Sequence, residues 1–389
     1  MVRYFPSFHT IAFGCACVFA FLVHSQLGAR QGVYASDMWL HVEFMLHPGQ
    51  NEAAGYSLLH TLCSALVAPF SVPEGDRGVI VGGAMLMVLT AAFYYSLVLV
   101  RGYWAEIYPA RGEPRVAGLV LACFVISMVV LTPWLGALFL GVFTGNPWHN
   151  PTYLFARVFA ILAFVSFLRL IDPAIRLEGA ARWRVLALLA VGAVLSMWGK
   201  PSFMLTLGPT FALVGLGAWL RGRIELAHAW RIAACLVPAL VALLVIRHNV
   251  YAQDKATNAV VFWPGRVWGQ YTPSYAMSLA LAAAFPLYVF IVRARALSPT
   301  MVVATVNWVV SLLMFYLLAE QGPRETHANF AWCYMGGLFF FFLGAIEEWF
   351  LRPATGNRWV HRVGTVIFAA HLLSGIYYFQ SILRGGPYM

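Results

Sequence analysis

The chain is divided into apolar runs of about 20 residues, the length a helix needs to cross roughly 30 Å of hydrocarbon. Eleven such runs are clear: 7–25, 78–100, 116–141, 153–171, 184–199, 201–220, 231–247, 275–292, 300–319, 331–351 and 363–382. A twelfth, 54–72, is short and contains His60, Pro69 and several small residues, so it fits a re-entrant or interfacial hairpin. Charged residues make up 10% of the chain against 61% apolar or aromatic, which excludes both a water-soluble globule and a disordered chain. The expected fold class is all-α: a polytopic helical integral membrane protein with about 11–12 transmembrane helices, forming one transmembrane domain over residues 1–389.

Loops that stay in the cytoplasm are enriched in Lys and Arg. If each clear run crosses once, one side receives Arg3, Arg101, Arg111, Arg115, Arg169, Arg176, Arg182, Arg184, Arg221, Arg223, Arg231, Arg293, Arg295, Arg352, Arg358 and Arg362, which is 16 of the 25 basic residues. That side is expected to be cytoplasmic. The surplus of +10 is therefore topogenic, and no basic stripe suits nucleic acid. The outer side receives 26–53, 142–152, the turn at Lys200 and Pro201, 248–274 and 320–330. This parity requires that 54–72 does not cross, or that the N-terminus lies outside. The first run has no small-residue cleavage site and reads as a retained signal anchor. The expected location is a bacterial-type inner membrane, multi-pass, with the active site on the periplasmic or extracellular face. All six cysteines sit inside apolar runs without zinc-ligand spacing, so they read as small core residues. No repeat, phosphate loop or nucleotide fingerprint is present.

Polar residues at membrane depth are costly, so their concentration on one side points to a site. Ser36-Asp37-Met38-Trp39-Leu40-His41-Val42-Glu43 is the first such element. As a helix it places Asp37 and His41 one turn apart on one face and Glu43 with His47 on another. An Asp one turn from a His suits proton transfer, and a capped interfacial helix explains the same residues structurally. Gly145-Asn146-Pro147-Trp148-His149-Asn150-Pro151-Thr152 is the second, with Arg157 just inside the following run. Capping accounts for Asn150 or Thr152, whereas His149 beside Trp148 suits a sugar ring and Arg157 an anionic group. Lys200, one of two lysines, occupies a turn between two apolar runs and suits a lipid phosphate. Glu320, Arg324, His327 and Asn329 crowd one short connector, where Arg suits phosphate and Asn or Glu suits sugar hydroxyls. Residues 248–274 add Arg266 among Trp263, Trp268 and Tyr271, which fits either carbohydrate stacking or an interfacial belt.

With many spans and Asp37 in the first outer loop just after the first span, the sequence resembles the GT-C superfamily of membrane glycosyltransferases. The GNPWHNPT and EQGPRETHANFAW stretches look like polar motifs of bacterial polysaccharide-assembly membrane proteins. The resemblance implies a polyprenyl-phosphate-linked sugar as donor and a glycan, lipid or protein as acceptor, with membrane lipids around the chain and no nucleic-acid partner. It also implies that Asp37 is the general base, with His41 and Glu43 beside it. His149, Asn150, Arg157, Lys200, Arg266, Glu320, Arg324, His327 and Asn329 are then the candidates for binding sugar and lipid phosphate. The paired acids that many members carry in that loop are not present, so metal ligands stay unassigned and a divalent cation, Mg or Mn, stays an open cofactor. A polysaccharide polymerase or ligase using lipid-linked glycans is the alternative enzyme. A secondary transporter or flippase is the alternative of another class, for which broken helices and midplane charges are expected.

Overall fold

The structure is a computed structural model and describes residues 7–28, 36–48, 57–127, 144–251, 259–272, 274–322, 325, 328–353 and 357–384. Among the described residues, ten helices are long and apolar enough to cross a membrane. In chain order the helices are α1 (Phe8–Gly28), the short α2 (Asp37–Leu46) and α3 (Leu58–Val67), α4 (Arg77–Ile107), the short α5 (Glu113–Val125), α6 (Pro151–Ile171), α7 (Gly179–Gly199), α8 (Ser202–Leu220) and α9 (Leu226–Tyr251). They continue with the single turn α10 (Trp268–Tyr271), α11 (Tyr275–Arg293), α12 (Pro299–Leu317), α13 (Asn329–Ile346) and α14 (Arg358–Leu383). Two three-residue strands, β1 (Val260–Phe262) and β2 (Leu318–Glu320), pair antiparallel with Val260 opposite Glu320. The protein is an all-α polytopic membrane protein.

Local chemistry sets where these helices begin. The side chains of Ser36, Asn150, Ser274, Ser298 and Asn357 each accept a backbone N–H of the first turn of α2, α6, α11, α12 and α14. Pro151 and Pro299 follow two of those caps, at the position where the missing N–H costs nothing. α6 and α13 are buried on nearly every side and form the centre of the bundle. The outer helices turn Leu216, Trp230, Leu240, Val366 and Leu373 outwards, as expected of surfaces wetted by lipid.

The arrangement of α1 to α4 decides the parity. α1 begins beside the lower half of α4, where Arg101 stacks on Phe8 at 5.6 Å and His9 bonds to Tyr94 at 2.8 Å. At the other end of the pair, Gly78 lies against Trp39 and Leu46, and Gly82 against Leu27 and Val42. α4 therefore starts where α1 finishes, and both α2 and α3 stay at that end. The ten residues of α3 rise about 15 Å, half the hydrocarbon thickness. The described part of the expected segment 54–72, residues 57–72, does not cross.

Within the expected run 116–141 the helix α5 ends at Val125, Ile126 and Ser127 are non-helical, and residues 128–143 lie outside the described residues. Ile126 and Ser127 leave the helix deep in the bundle, where backbone groups need protein partners. Asn146 supplies them: its amide donates to the carbonyls of Cys123 at 3.0 Å and Ile126 at 2.8 Å. Ser127 N donates to His371 O at 3.3 Å. α11 breaks beside it at Ala283, three residues before Pro286. His371 joins the two breaks by donating from Nδ1 to Ser127 O at 2.7 Å and accepting the Phe285 N–H at Nε2 at 3.3 Å.

The opposite end of the bundle is closed by a π turn, Glu347–Leu351, that continues α13. Glu347 accepts from Trp104 Nε1 at 2.9 Å and Tyr108 O–H at 3.1 Å. Glu348 pairs with Arg352 at 2.7 Å and accepts Ser298 N at 2.9 Å, which ties α13 to the start of α12. Arg111 and Arg115 donate to the carbonyls of Leu351 and Phe350 that the turn leaves unbonded.

Single cysteines at the exposed positions His47 and Ser71, in a background without the six native ones, should react with a membrane-impermeant maleimide from the same side of sealed vesicles, and one at Gly112 from the other. Labelling of positions 47 and 71 from opposite sides would mean that 54–72 crosses.

Candidate functional site

Three connections that are distant in sequence meet at the Asp37 end of the bundle. The first is the start of α2. Ser36 caps it by accepting Met38 N at 3.2 Å and donates its own hydroxyl to Gln26 Oε1 at 2.5 Å, anchoring α2 on the end of α1. Gln26 in turn donates to Trp148 O at 3.2 Å, so the first and second elements share one scaffold. This fixes Asp37 at the first helical position, facing the 144–150 segment.

The second connection is the turn into α6. Asn150 Oδ1 accepts from Tyr153 N at 2.9 Å, Thr152 Oγ1 at 2.9 Å and Lys200 Nζ at 3.2 Å. With the oxygen so engaged, the amide nitrogen must face the other way, and it donates to Asp37 Oδ2 at 2.7 Å. One side chain thus caps a helix and bridges an acid to a base. The capping explanation of Asn150 holds, and the same side chain lies between Asp37 and Lys200.

The third connection is the extended residue Lys200 between α7 and α8. α7 reaches this turn in close contact with α6: a Cβ on Gly199 would fall 2.9 Å from the Ala156 Cβ. That approach brings the Lys200 ammonium to Asn150, to Thr152 Oγ1 at 3.3 Å, and over the Trp332 ring at 4.1 Å from its centroid. The His149 ring also lies by Trp332, at 5.8 Å, and its Nδ1 is 3.4 Å from the Tyr378 hydroxyl.

Burial sets the charge state of this cluster. The Lys200 ammonium is brought down to about 8 by burial, with Asp37 acting in the opposite sense. Burial takes the His149 imidazole down to about 4, Asp37 opposing and Lys200 reinforcing. His41 is held well below its ordinary range by burial first, then by His60 and Lys200. At neutral pH Lys200 is therefore an ammonium and the imidazoles of His41 and His149 are neutral. The donors and acceptors of the cluster suit an anionic oxygen beside Lys200 and a hydroxyl beside Asp37.

The other expected residues fall elsewhere. Glu43 turns away with His47, 3.8 Å from it, on the outer face of α2. Arg157 points beneath the cluster: its guanidinium donates to Asn146 Oδ1 at 2.6 Å and is enclosed by Phe124, Trp148 and Phe339. It supports the 144–150 segment from below. Glu320 accepts from Asn329 at the start of α13, one turn before Trp332. Arg266 pairs with Glu325 at 2.6 Å on the 263–271 turn and stacks on Trp263 at 4.5 Å. Arg324 and His327 lie outside the described residues. The sequence shows Thr152, Trp332 and His60 as polar or aromatic residues but does not single them out. Their part depends on packing between helices, which leaves no periodic mark.

Among the described residues no three His, Cys, Asp or Glu side chains converge as a metal set. His41 and His60 bond to each other, and Asp37 is engaged by Asn150. The sequence matches no protein-family model and no curated protein.

His60 and His149 each sit near 4 in the folded protein, against an ordinary value near 6.5. Between those values the unfolded chain binds protons that the folded chain does not, so stability is lost as pH falls from about 6.5 towards 4. The Tm in detergent should fall over that interval, and a His60→Gln/His149→Gln variant should show a shallower decline. A Tm that is constant or rises would contradict the buried neutral imidazoles.

Proposed function

We propose that this protein is a membrane glycosyltransferase that transfers a sugar from a polyprenyl-phosphate-linked donor to a hydroxyl acceptor during surface glycan assembly. The observation that carries this reading is the Asp37–Asn150–Lys200 bridge, which holds a carboxylate and an ammonium together at one end of a lipid-embedded bundle. In the proposed step the acceptor O–H gives its proton to Asp37 and its oxygen attacks the anomeric carbon. The bond from that carbon to the phosphate oxygen breaks, and the lipid phosphate leaves with the electron pair. Lys200 offsets the charge that grows on that phosphate in a site partly closed to water. Thr152 and Asn150 keep the ammonium aimed, and Trp332 offers an aromatic face beside it.

A donor with a lipid tail explains why such a site is built on spans, since its phosphate lies at interface depth. The Arg distribution supports an Asp37 end outside the cytoplasm, and the proposal accordingly locates the reaction on the periplasmic face of a bacterial-type inner membrane. GT-C membership is part of the same proposal.

A secondary transporter is the second reading, favoured by the breaks in α5 and α11 and by Arg157 and His371 inside the bundle. Those groups are spent on holding broken backbone, which favours the enzyme.

Purified protein in nanodiscs, given a panel of labelled polyprenyl-phosphate sugars, should release polyprenyl phosphate. Asp37→Asn should lower turnover about 100-fold or more while leaving donor affinity within a few-fold. Lys200→Met should weaken donor binding about tenfold or more. Undiminished turnover in Asp37→Asn would remove the base from this position, and donor binding unaffected by Lys200→Met would remove the phosphate site.

A further inference from the structure

α3 does not cross the membrane, yet it carries a buried histidine against the site helix. His60 Nε2 lies 2.8 Å from His41 Nδ1, with the two rings tilted at 55° and 5.1 Å between centroids. Two neutral imidazoles at this distance share one proton, so one nitrogen donates and the other accepts. The surroundings decide which. His60 Nδ1 is sealed from solvent with no hydrogen-bond partner among the described residues. His41 keeps 8% of its surface open, and its Nε2 is not among the sealed nitrogens.

If His41 Nδ1 donated, His60 would carry its own proton on Nδ1, and a buried N–H would be left without an acceptor. If His60 Nε2 donates, only a lone pair is left unbonded on His60, and buried orphan acceptors are tolerated more often than orphan N–H groups. The His41 proton then sits on Nε2, the nitrogen with access to the outside. His41 lies one turn after Asp37 on α2, with Phe44 packed edge-on against its ring, and it is close enough to Lys200 to be influenced by its charge.

We infer that His60 is a positioning residue: its Nε2–H donates to His41 Nδ1 and fixes His41 as the Nε2–H tautomer, a neutral donor for an oxygen of the phosphate that Lys200 receives. The tautomer stands on the packing of α2 against α3. Its use toward phosphate rests on the function proposed above.

The test is nitrogen NMR of the full chain in nanodiscs with labelled histidine, the His41 signals being assigned among the eleven by their loss in His41→Gln. Wild-type His41 should show a pyrrole-type shift at Nε2 and a pyridine-type shift at Nδ1. His60→Gln, whose amide can donate from nearly the same place, should preserve this pattern, and His60→Leu should convert it to mixed tautomers. Addition of polyprenyl phosphate should move the His41 Nε2 signal in the wild type and in His60→Gln. A proton on Nδ1 in the wild type, or an unchanged His41 spectrum in His60→Leu, overturns the inference. Because the wild-type spectrum decides the tautomer alone, a His60→Leu chain that fails to fold does not rescue it. The expected tautomer with no binding of polyprenyl phosphate would instead overturn the donor proposed above, and with it the phosphate role of His41.

Discussion

The amide of Asn150 is the contact on which the candidate site depends. Its oxygen gathers Tyr153 N, Thr152 Oγ1 and Lys200 Nζ, and its nitrogen is thereby committed to Asp37. Asp and Lys side chains brought out of water are costly unless their charges are bonded. The bridge meets that cost without collapsing the two into a direct ion pair, so each keeps capacity for a ligand. Removing the amide would unpair a carboxylate and an ammonium together, in addition to losing the cap of α6.

The bridge is held in place from below. The 144–150 segment runs as non-helical backbone through protein: Ser127, Tyr153 and Arg157 donate to its Thr144 Oγ1, Gly145 O and Asn146 Oδ1, and the Asn146 amide donates in turn to the end of α5. Gly145 makes room by lying directly on the Phe339 backbone, where a Cβ would come within 2.9 Å. A buried arginine in a span is thus explained as a support for the segment that carries His149 and Asn150. The same account covers His371, which fastens the end of α5 to the break in α11. Rigid support of this kind is what a site needs if its groups are to be placed before a ligand arrives.

Much of this was legible in the sequence, and for identifiable reasons. Spans are visible because the bilayer imposes both their length and their composition, so the ten long helices coincide with apolar runs. Asp37, Asn150 and Lys200 stand out because polar residues beside such runs are expensive. Their mutual contact is not legible, since it depends on how α2, α6 and α7 pack. Arg157 looks like an anion ligand in sequence because nothing there tells which way it faces; Asn146 and three aromatic rings settle that. The run 116–141 looks continuous because its composition is apolar throughout, while α5 stops at Val125 where Asn146 provides an alternative to helical bonding. The parity left open by 54–72 is resolved by Gly78 and Gly82, whose small size lets α4 start against α2 and α1.

The central claim is that Asp37, Asn150 and Lys200 form a receiving site for a lipid-borne phosphate. A cryo-EM map of the protein in nanodiscs loaded with polyprenyl phosphate tests it most directly. Phosphate density is expected within hydrogen-bond reach of the Lys200 ammonium, beside Asp37, with the chain descending along the bundle surface. Phosphate density bound elsewhere, or a continuous polar passage between the two faces with Asp37 and Lys200 turned away from it, would contradict it.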